Sequence, residues 1–253
     1  MVDLALPSDR TIVDRRPILP LRATDLSYTT AAGTWVGPLD LTIGPGGSTV
    51  ILGPNGAGKS VLLRLLHGLL EPTTGRVEWR GARADRDLRL RQAMVFQDPV
   101  VLRRSVAANL RYALRIRGYT GAALRDRVEE WLGRATLSDL ARRPAGVLSG
   151  GEKQRLAIAR ALCCAPDVVF LDEPTANLDN ASIIAIEALL QAARTRGTKL
   201  IMVTHDLGQA RRIAEDVVFM VGGKIVERGA TPAFFDSPTT LQAQAFLEGK
   251  LVL

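Results

Sequence analysis

Val50-Ile-Leu-Gly-Pro-Asn-Gly-Ala-Gly-Lys-Ser60 is the stretch that decides the fold. Three apolar residues run into Gly53. After four intervening positions come Gly58, Lys59 and Ser60, then an apolar run of helical spacing. A strand before and a helix after is the setting in which this pattern reads as a phosphate-binding loop. Gly53, Gly56 and Gly58 give the backbone conformations closed to other residues. The loop can then turn its N–H groups inward around a polyphosphate. The helix starting near Lys59 adds the positive end of its dipole at the same place. Lys59 is expected to reach the β- and γ-phosphates, and Ser60 to hold Mg²⁺ through its hydroxyl. The pattern implies nucleotide binding and leaves the use of the nucleotide open.

A second cluster lies downstream. Val168-Val-Phe-Leu-Asp172-Glu173 reads as a buried strand ending in two carboxylates. The C-terminal end of a parallel strand is where α/β proteins place ligand chemistry. Asp172 is expected at Mg²⁺. Glu173 is expected to polarise a water for attack on the γ-phosphate. A third cluster, Leu148-Ser-Gly-Gly-Glu-Lys-Gln-Arg155, sets Ser149 and two glycines at a helix N-terminus. That is a second anion site in one chain. One nucleotide does not need two intramolecular cradles. The economical arrangement is a nucleotide sandwiched between two copies, each giving its phosphate loop to one site and Ser149 to the other.

The rest of the sequence fits an α/β body. Strands are expected over 21–28, 35–43, 49–52, 75–81, 93–96, 168–171, 199–204, 217–221 and 224–227. Helices are expected over 60–70, with Val61, Leu62, Leu65, Leu66 and Leu69 on the packing side and Pro72 as the stop, and over 181–195 and 207–214. A further helix runs from the third cluster through Cys164 to a stop at Pro166. Between Pro99 and Ala145 the strand signals vanish. Helices at 106–117, 122–134 and 138–142, broken at Gly118, Gly121 and Gly133, make this a helical insertion. Residues 1–20 read as a polar extension.

Composition narrows the class. The chain has 253 residues, 47% of them hydrophobic, enough for one large core. No run approaches the roughly 18 apolar residues of a membrane helix. The first twenty residues carry charge throughout and lack the apolar centre of a secretory signal, so a cytosolic place is expected. The formal net charge of +7 comes from scattered arginines. Without aromatic-basic interleaving or a DNA-reading motif, no nucleic-acid partner is expected, and a solvated surface facing anionic headgroups is the preferred reading. Adjacent Cys163 and Cys164 form no disulfide framework and read as small buried apolar residues.

These motifs, in this order, resemble the nucleotide-binding subunit of an ATP-binding-cassette (ABC) transporter over nearly all of residues 21–248. Gly53, Pro54, Asn55, Gly56, Ala57, Gly58, Lys59 and Ser60 match the family's Walker A loop, with Val61 next. Ser149, Gly150, Gly151 and Glu152 match its signature, and Asp172 and Glu173 end its Walker B strand. Gln97 falls at the Q-loop glutamine, Asp179 in the D-loop and His205 at the switch histidine. The resemblance implies a P-loop NTPase core of ABC-ATPase type with an N-terminal antiparallel β region. A helical subdomain of about 99–146 is inserted in a domain covering 21–253. It also implies ATP and Mg²⁺ as cofactors. Gln97 would touch Mg²⁺ and the lytic water, His205 the γ-phosphate, and Asp179 would couple two sites across a homodimer. Tyr28 stands where the family stacks an aromatic ring on adenine, with Trp35 as the other candidate. Three positions depart from the family pattern: Val61 for a second hydroxyl residue, Glu152 for glutamine and Asn177 for serine. None removes a group the hydrolysis requires.

A soluble ABC ATPase would carry a long coiled coil or two tandem cassettes, and a P-loop kinase or GTPase has no use for the signature helix. A single free-standing cassette resembles a bacterial importer subunit, peripheral on the cytoplasmic membrane face. Its partners would be permease subunits and, indirectly, a solute-binding protein. The strings at 66–72, 95–105 and 204–211 resemble the tungstate class, with phosphate and molybdate importers as near relatives.

Overall fold

The structure is a computed structural model describing residues 17–251. The expected extension over 1–20 lies outside the described residues up to residue 16. Ile18 and Leu19, by contrast, are buried, so the packed body starts before the expected boundary at 21.

In chain order, β1 (Leu21–Thr30) and β2 (Gly33–Ile43) form an antiparallel pair. Next come β3 (Ser48–Leu52), α1 (Lys59–His67), β4 (Thr74–Trp79), α2 (Arg86–Leu90) and β5 (Gln92–Val95). The inserted stretch carries α3 (Val106–Ile116) and α4 (Gly121–Arg134), then short 3-10 turns at Ser138–Leu140 and Ala145–Val147. It leads into α5 (Gly150–Leu162). The chain continues through β6 (Val168–Asp172), α6 (Asn180–Thr195), β7 (Lys199–Val203), α7 (Leu207–Ile213), β8 (Asp216–Val221) and β9 (Lys224–Ala230). It ends in α8 (Thr231–Asp236) and α9 (Leu241–Leu247).

Two sheets result. β2-β1-β4 is antiparallel. β5-β6-β7-β3-β8-β9 is parallel except for the edge strand β9. The central strands β3, β6 and β7 are buried at every position. Side chains alternate across a strand, so such strands need cover on both faces. Val50, Leu52, Val169, Leu171, Leu200 and Met202 point to a core shared with α3, α4, α5 and α6. Ile51, Val168, Phe170, Ile201 and Val203 point to a second core shared with α1 and the antiparallel sheet. Each fully buried large side chain contributes roughly 1.5–3 kcal/mol, and the two faces together fix the register of β3 and β6. That register sets Gly53 and Glu173 just past the ends of two strands that flank β7.

Several boundaries differ from expectation. α1 ends at Gly68, not at Pro72: Gly68 is left-handed (φ 83°) and its N–H donates to the carbonyls of Arg64 and Leu65. Leu69 therefore lies beyond the helix, 49% exposed, while Leu63 takes a core place. Gly133 sits inside α4 instead of breaking it. α5 stops at Leu162, short of Pro166. α2 was not expected; Asp85 caps it by accepting the Leu88 N–H at 2.8 Å. Among the described residues no helix is long and apolar enough to cross a membrane.

Candidate active site

The phosphate loop leaves β3 at Gly53. Its φ is 153°, and a Cβ there would meet the Met220 carbonyl at 2.1 Å. Gly58 ends the loop at φ 88°, with a Cβ blocked at 2.5 Å by the Trp35 carbonyl. Both positions thus require glycine for space as well as conformation. Gly58 is also the N-cap of α1 and offers no side-chain cap. The first N–H groups of that helix are left for an anion.

Lys59 is buried, and its Nζ donates to the carbonyls of Gly53 (2.8 Å) and Pro54 (2.9 Å). Burial holds its pKa below the usual lysine value; the charges of Glu173 and Asp172 act against that. A buried ammonium pinned to two carbonyls of the loop is ready for a polyphosphate. Ser60 donates its hydroxyl to Asp172 Oδ1 at 2.6 Å. Asp172 is 1% exposed and is reached on its other oxygen by Arg64 Nη2 at 3.3 Å. A hydroxyl and a carboxylate side by side are the hard oxygen donors that suit Mg²⁺, so the residues present fit that ion.

Glu173 leaves the line of β6 with φ 44°, and its N–H donates to the Val203 carbonyl at 3.0 Å. Its Oε2 lies 3.1 Å from His205 Nδ1. A carboxylate held by an imidazole beside a phosphate loop has the reach for general-base work on a water. One cavity of about 470 Å³ unites these groups. Its walls include Asn55, Gly56, Ala57, Gly58, Lys59, Ser60, Val61, Gln97, Glu173 and His205. Gly53 and Pro54 shape the loop behind it, and Asp172 lies beneath Ser60.

The remaining expected residues stand apart. Tyr28 does not line this cavity; Trp35 does, with its indole N–H donating to Thr30 Oγ1 at 3.0 Å. Tyr28 packs instead against the core beneath the antiparallel sheet. Of the two rings named for adenine, Trp35 is thus the one at the cavity wall. The physical reason is the one-strand offset: Tyr28 pairs with Val36 across β1 and β2, while Trp35 sits where β2 passes the loop. Ser149, Gly150, Gly151 and Glu152 are also outside the cavity. Ser149 caps α5 by accepting the Glu152 N–H at 3.3 Å, and Glu152 Oε2 accepts the Ser149 N–H at 2.7 Å. This reciprocal box draws the Glu152 carboxyl below the usual range. Asp179 caps α6, accepting from both the N–H and hydroxyl of Ser182 at 2.9 Å. Gly151 is where α5 meets α6: a Cβ would lie 2.1 Å from Ser182 Oγ.

Three contributions were not expected from sequence. Arg64 holds Asp172; it stands four residues after Ser60, the spacing that shares a helix face, so the signal was present. Asn177 and Ala176 join the cavity wall, Asn177 in a left-handed turn at φ 59°. Buried Gln209 donates to buried Thr175 Oγ1 at 2.7 Å, tying the segment after β6 to the helix after His205. No local pattern marks that last pair.

Comparison with known proteins gives concordant results. A family model described as "ABC transporter" matches residues 36–176. A "Probable anion import ATP-binding protein" of Haloferax volcanii is 38% identical, covering 99% of this chain and 94% of its own. The "Phosphate import ATP-binding protein PstB 2" of Natronomonas pharaonis is 38% identical over 84% of this chain and 80% of its own. At 39%, the "Cobalt import ATP-binding protein CbiO" of Rhodobacter capsulatus covers 94% of this chain and 87% of its own. Among solved structures, the "Dimeric structure of a post-hydrolysis state of the ATP-binding cassette MJ0796 bound to ADP and Pi" superposes with a TM-score of 0.75. It shares 29% identity and covers 83% of this chain and 98% of that one.

Proposed function

This chain belongs to the ABC transporter family, and on that premise we propose that it is the ATPase subunit of an oxyanion importer, with tungstate as the solute. It is an ABC-type ATPase whose cofactors are ATP and Mg²⁺. The observation that carries the catalytic reading is the single cavity joining Lys59 and Ser60 to Gln97, Glu173 and His205, with Ser149 outside it. The phosphate contacts expected from the Ser149 segment are thus out of reach within one chain. A second copy supplies them.

The mechanism follows from this chain's own groups. Lys59 and the N–H groups from Gly56 to Ser60 hold the β- and γ-phosphates. Ser60 and Asp172, with Gln97, would hold Mg²⁺, which neutralises phosphate charge when bound. Trp35 offers the exposed ring for adenine, in preference to Tyr28. Glu173 takes a proton from the attacking water, whose oxygen bonds to the γ-phosphorus as the bond to the ADP oxygen breaks. His205 orients Glu173 and contacts the γ-phosphate. Ser149, Gly150 and Gly151 of the second copy clasp that phosphate from the far side. Charge-assisted hydrogen bonds are about twice as strong as neutral ones, so ATP holds the copies closed and hydrolysis loosens them. Asp179, at the α6 cap, couples the two sites. The helical subdomain, about 99–146, passes the motion to permease subunits on the cytoplasmic membrane face.

The solute assignment rests on the tungstate-like strings and is supported by the anion importer similar over 99% of the chain. The cobalt importer at 39% identity, against 38% for the anion importer, illustrates why the cassette alone does not name the solute: no residue here touches it. Two experiments separate the readings. Glu173→Gln should retain MgATP binding, lose turnover and run as a dimer on a sizing column; a monomer under saturating MgATP contradicts the shared site. Uptake by the assembled transporter should be driven by tungstate ahead of phosphate, and preference for a metal cation or an amino acid overturns the solute assignment.

A further inference from the structure

We propose that Cys163 and Cys164 form a two-thiol site that captures trivalent arsenicals as a chelate. They are the chain's only cysteines, and neither is in a disulfide. Cys163 caps the C-terminus of α5 and is fully buried; Cys164 follows and is half-buried. Successive helical side chains diverge by about 100°. Here the helix is ending, with Ala165 already left-handed at φ 49°, and the two sulfurs converge. Their Sγ atoms are 3.9 Å apart, and both approach the Arg160 carbonyl, at 3.2 and 3.9 Å.

The surroundings make one of the pair reactive. A hydrogen bond from Cys163 and the nearby Arg117 guanidinium pull the Cys164 thiol below its ordinary pKa. The same hydrogen bond and burial push Cys163 up. Cys164 is the less buried and more acidic of the two thiols, and thiolate is the attacking form. Cys163 is the neutral thiol held in reserve behind it. The expectation of two small buried apolar residues therefore describes Cys163 better than Cys164.

Geometry decides what the pair can take. Consecutive Cα atoms lie about 3.8 Å apart, below the ~4.4 Å lower bound of ordinary disulfides. Direct oxidation is strained. Inserting one soft atom between the sulfurs removes that constraint, and soft centres prefer thiolate ligands. With an aryl arsonous acid, the Cys164 thiolate attacks arsenic and displaces hydroxide, which takes a proton to become water. The Cys163 thiol then displaces the second hydroxyl as water. Two As–O bonds are exchanged for two As–S bonds, and arsenic keeps its oxidation state. Neither cysteine lines the phosphate-loop cavity, so the site is separate from the hydrolytic one.

Phenylarsine oxide and the intact full-length chain test this. One adduct per chain is expected by native mass spectrometry, with both thiols lost to a thiol-reactive dye when the chain is then unfolded in urea. The adduct should survive excess monothiol and be stripped by 2,3-dimercaptopropanol. Cys164→Ala, at the half-exposed position, should bind about 100-fold more weakly through loss of the chelate, and its adduct should yield to monothiol. No adduct, an adduct that leaves one thiol titratable, or wild-type affinity in Cys164→Ala overturns the proposal. The thiol count on the unmodified chain decides even where a Cys163 variant fails to fold.

Discussion

Lys59 is held below the usual lysine pKa by burial and spends its hydrogen bonds on the Gly53 and Pro54 carbonyls. Its removal should leave the fold and abolish the phosphate clasp. Lys59→Ala is expected to lower kcat/KM for MgATP by about 100-fold or more, the scale of losing one charge-stabilising donor; a steady-state assay reads it directly. The adenine contact is a sharper question, because sequence and structure point to different rings. Trp35 is 45% exposed at the cavity. Trp35→Ala should weaken nucleotide binding by the roughly 1–3 kcal/mol of a stacked base, and Tyr28→Ala should change it little. Equilibrium titration with a fluorescent nucleotide distinguishes the two. At this scale the sequence was legible wherever the chemistry sits in a contiguous string. Gly58, Lys59 and Ser60 at the start of α1, and Asp172 and Glu173 at the end of β6, were all readable. Arg64 and Gln209 were not read, because their roles depend on partners about a hundred or about thirty residues away.

Elements carry two further expectations. Ser149 does double duty in the proposed account: it caps α5 within the chain and reaches a phosphate in the next copy. Asp caps a helix about as well as Ser. Ser149→Asp should therefore keep stability within about 0.5 kcal/mol by urea unfolding. Its carboxylate would repel the γ-phosphate, so hydrolysis should fall by about 100-fold. Equal losses in both would mean the cap is Ser149's whole role. His67, the last residue of α1, packs edge-on against Phe170 with ring centroids 5.2 Å apart. Burial, with help from the Arg89 charge, lowers its pKa from 6.5 to about 4. The folded chain then resists protonation that the unfolded chain accepts. The stability linked to His67 is complete above pH 6.5 and is lost as pH falls toward 4, by up to about 3 kcal/mol. His67→Leu should flatten that part of the urea-midpoint profile between pH 6.5 and 4. Element ends were less legible than element identities. Gly68 outcompeted Pro72 as a stop because a left-handed glycine satisfies two carbonyls at once. Gly133 was absorbed into α4 because Trp131 and Leu132, just before it, are buried, and packing overrides propensity.

For the whole molecule, the alternation of buried side chains along β3, β6 and β7 was visible as short continuous apolar runs. The doubly covered sheet followed from it. The pairing order β5-β6-β7-β3-β8-β9 was not visible, since no local residue pattern fixes which parallel strands adjoin. Ile18 and Leu19 also escaped notice, because a two-residue apolar pair between prolines carries no period to read. The molecule's main consequence is its incompleteness: one face presents the cavity, while the Ser149 end of α5 stands away from it. The most direct measurement is a structure of Glu173→Gln with MgATP. The account predicts Ser149 of one copy within hydrogen-bond distance of the γ-phosphate held by Lys59 of the other, twice per dimer. A structure in which each γ-phosphate is contacted by a single chain, with Ser149 of every copy remote from it, contradicts the shared site.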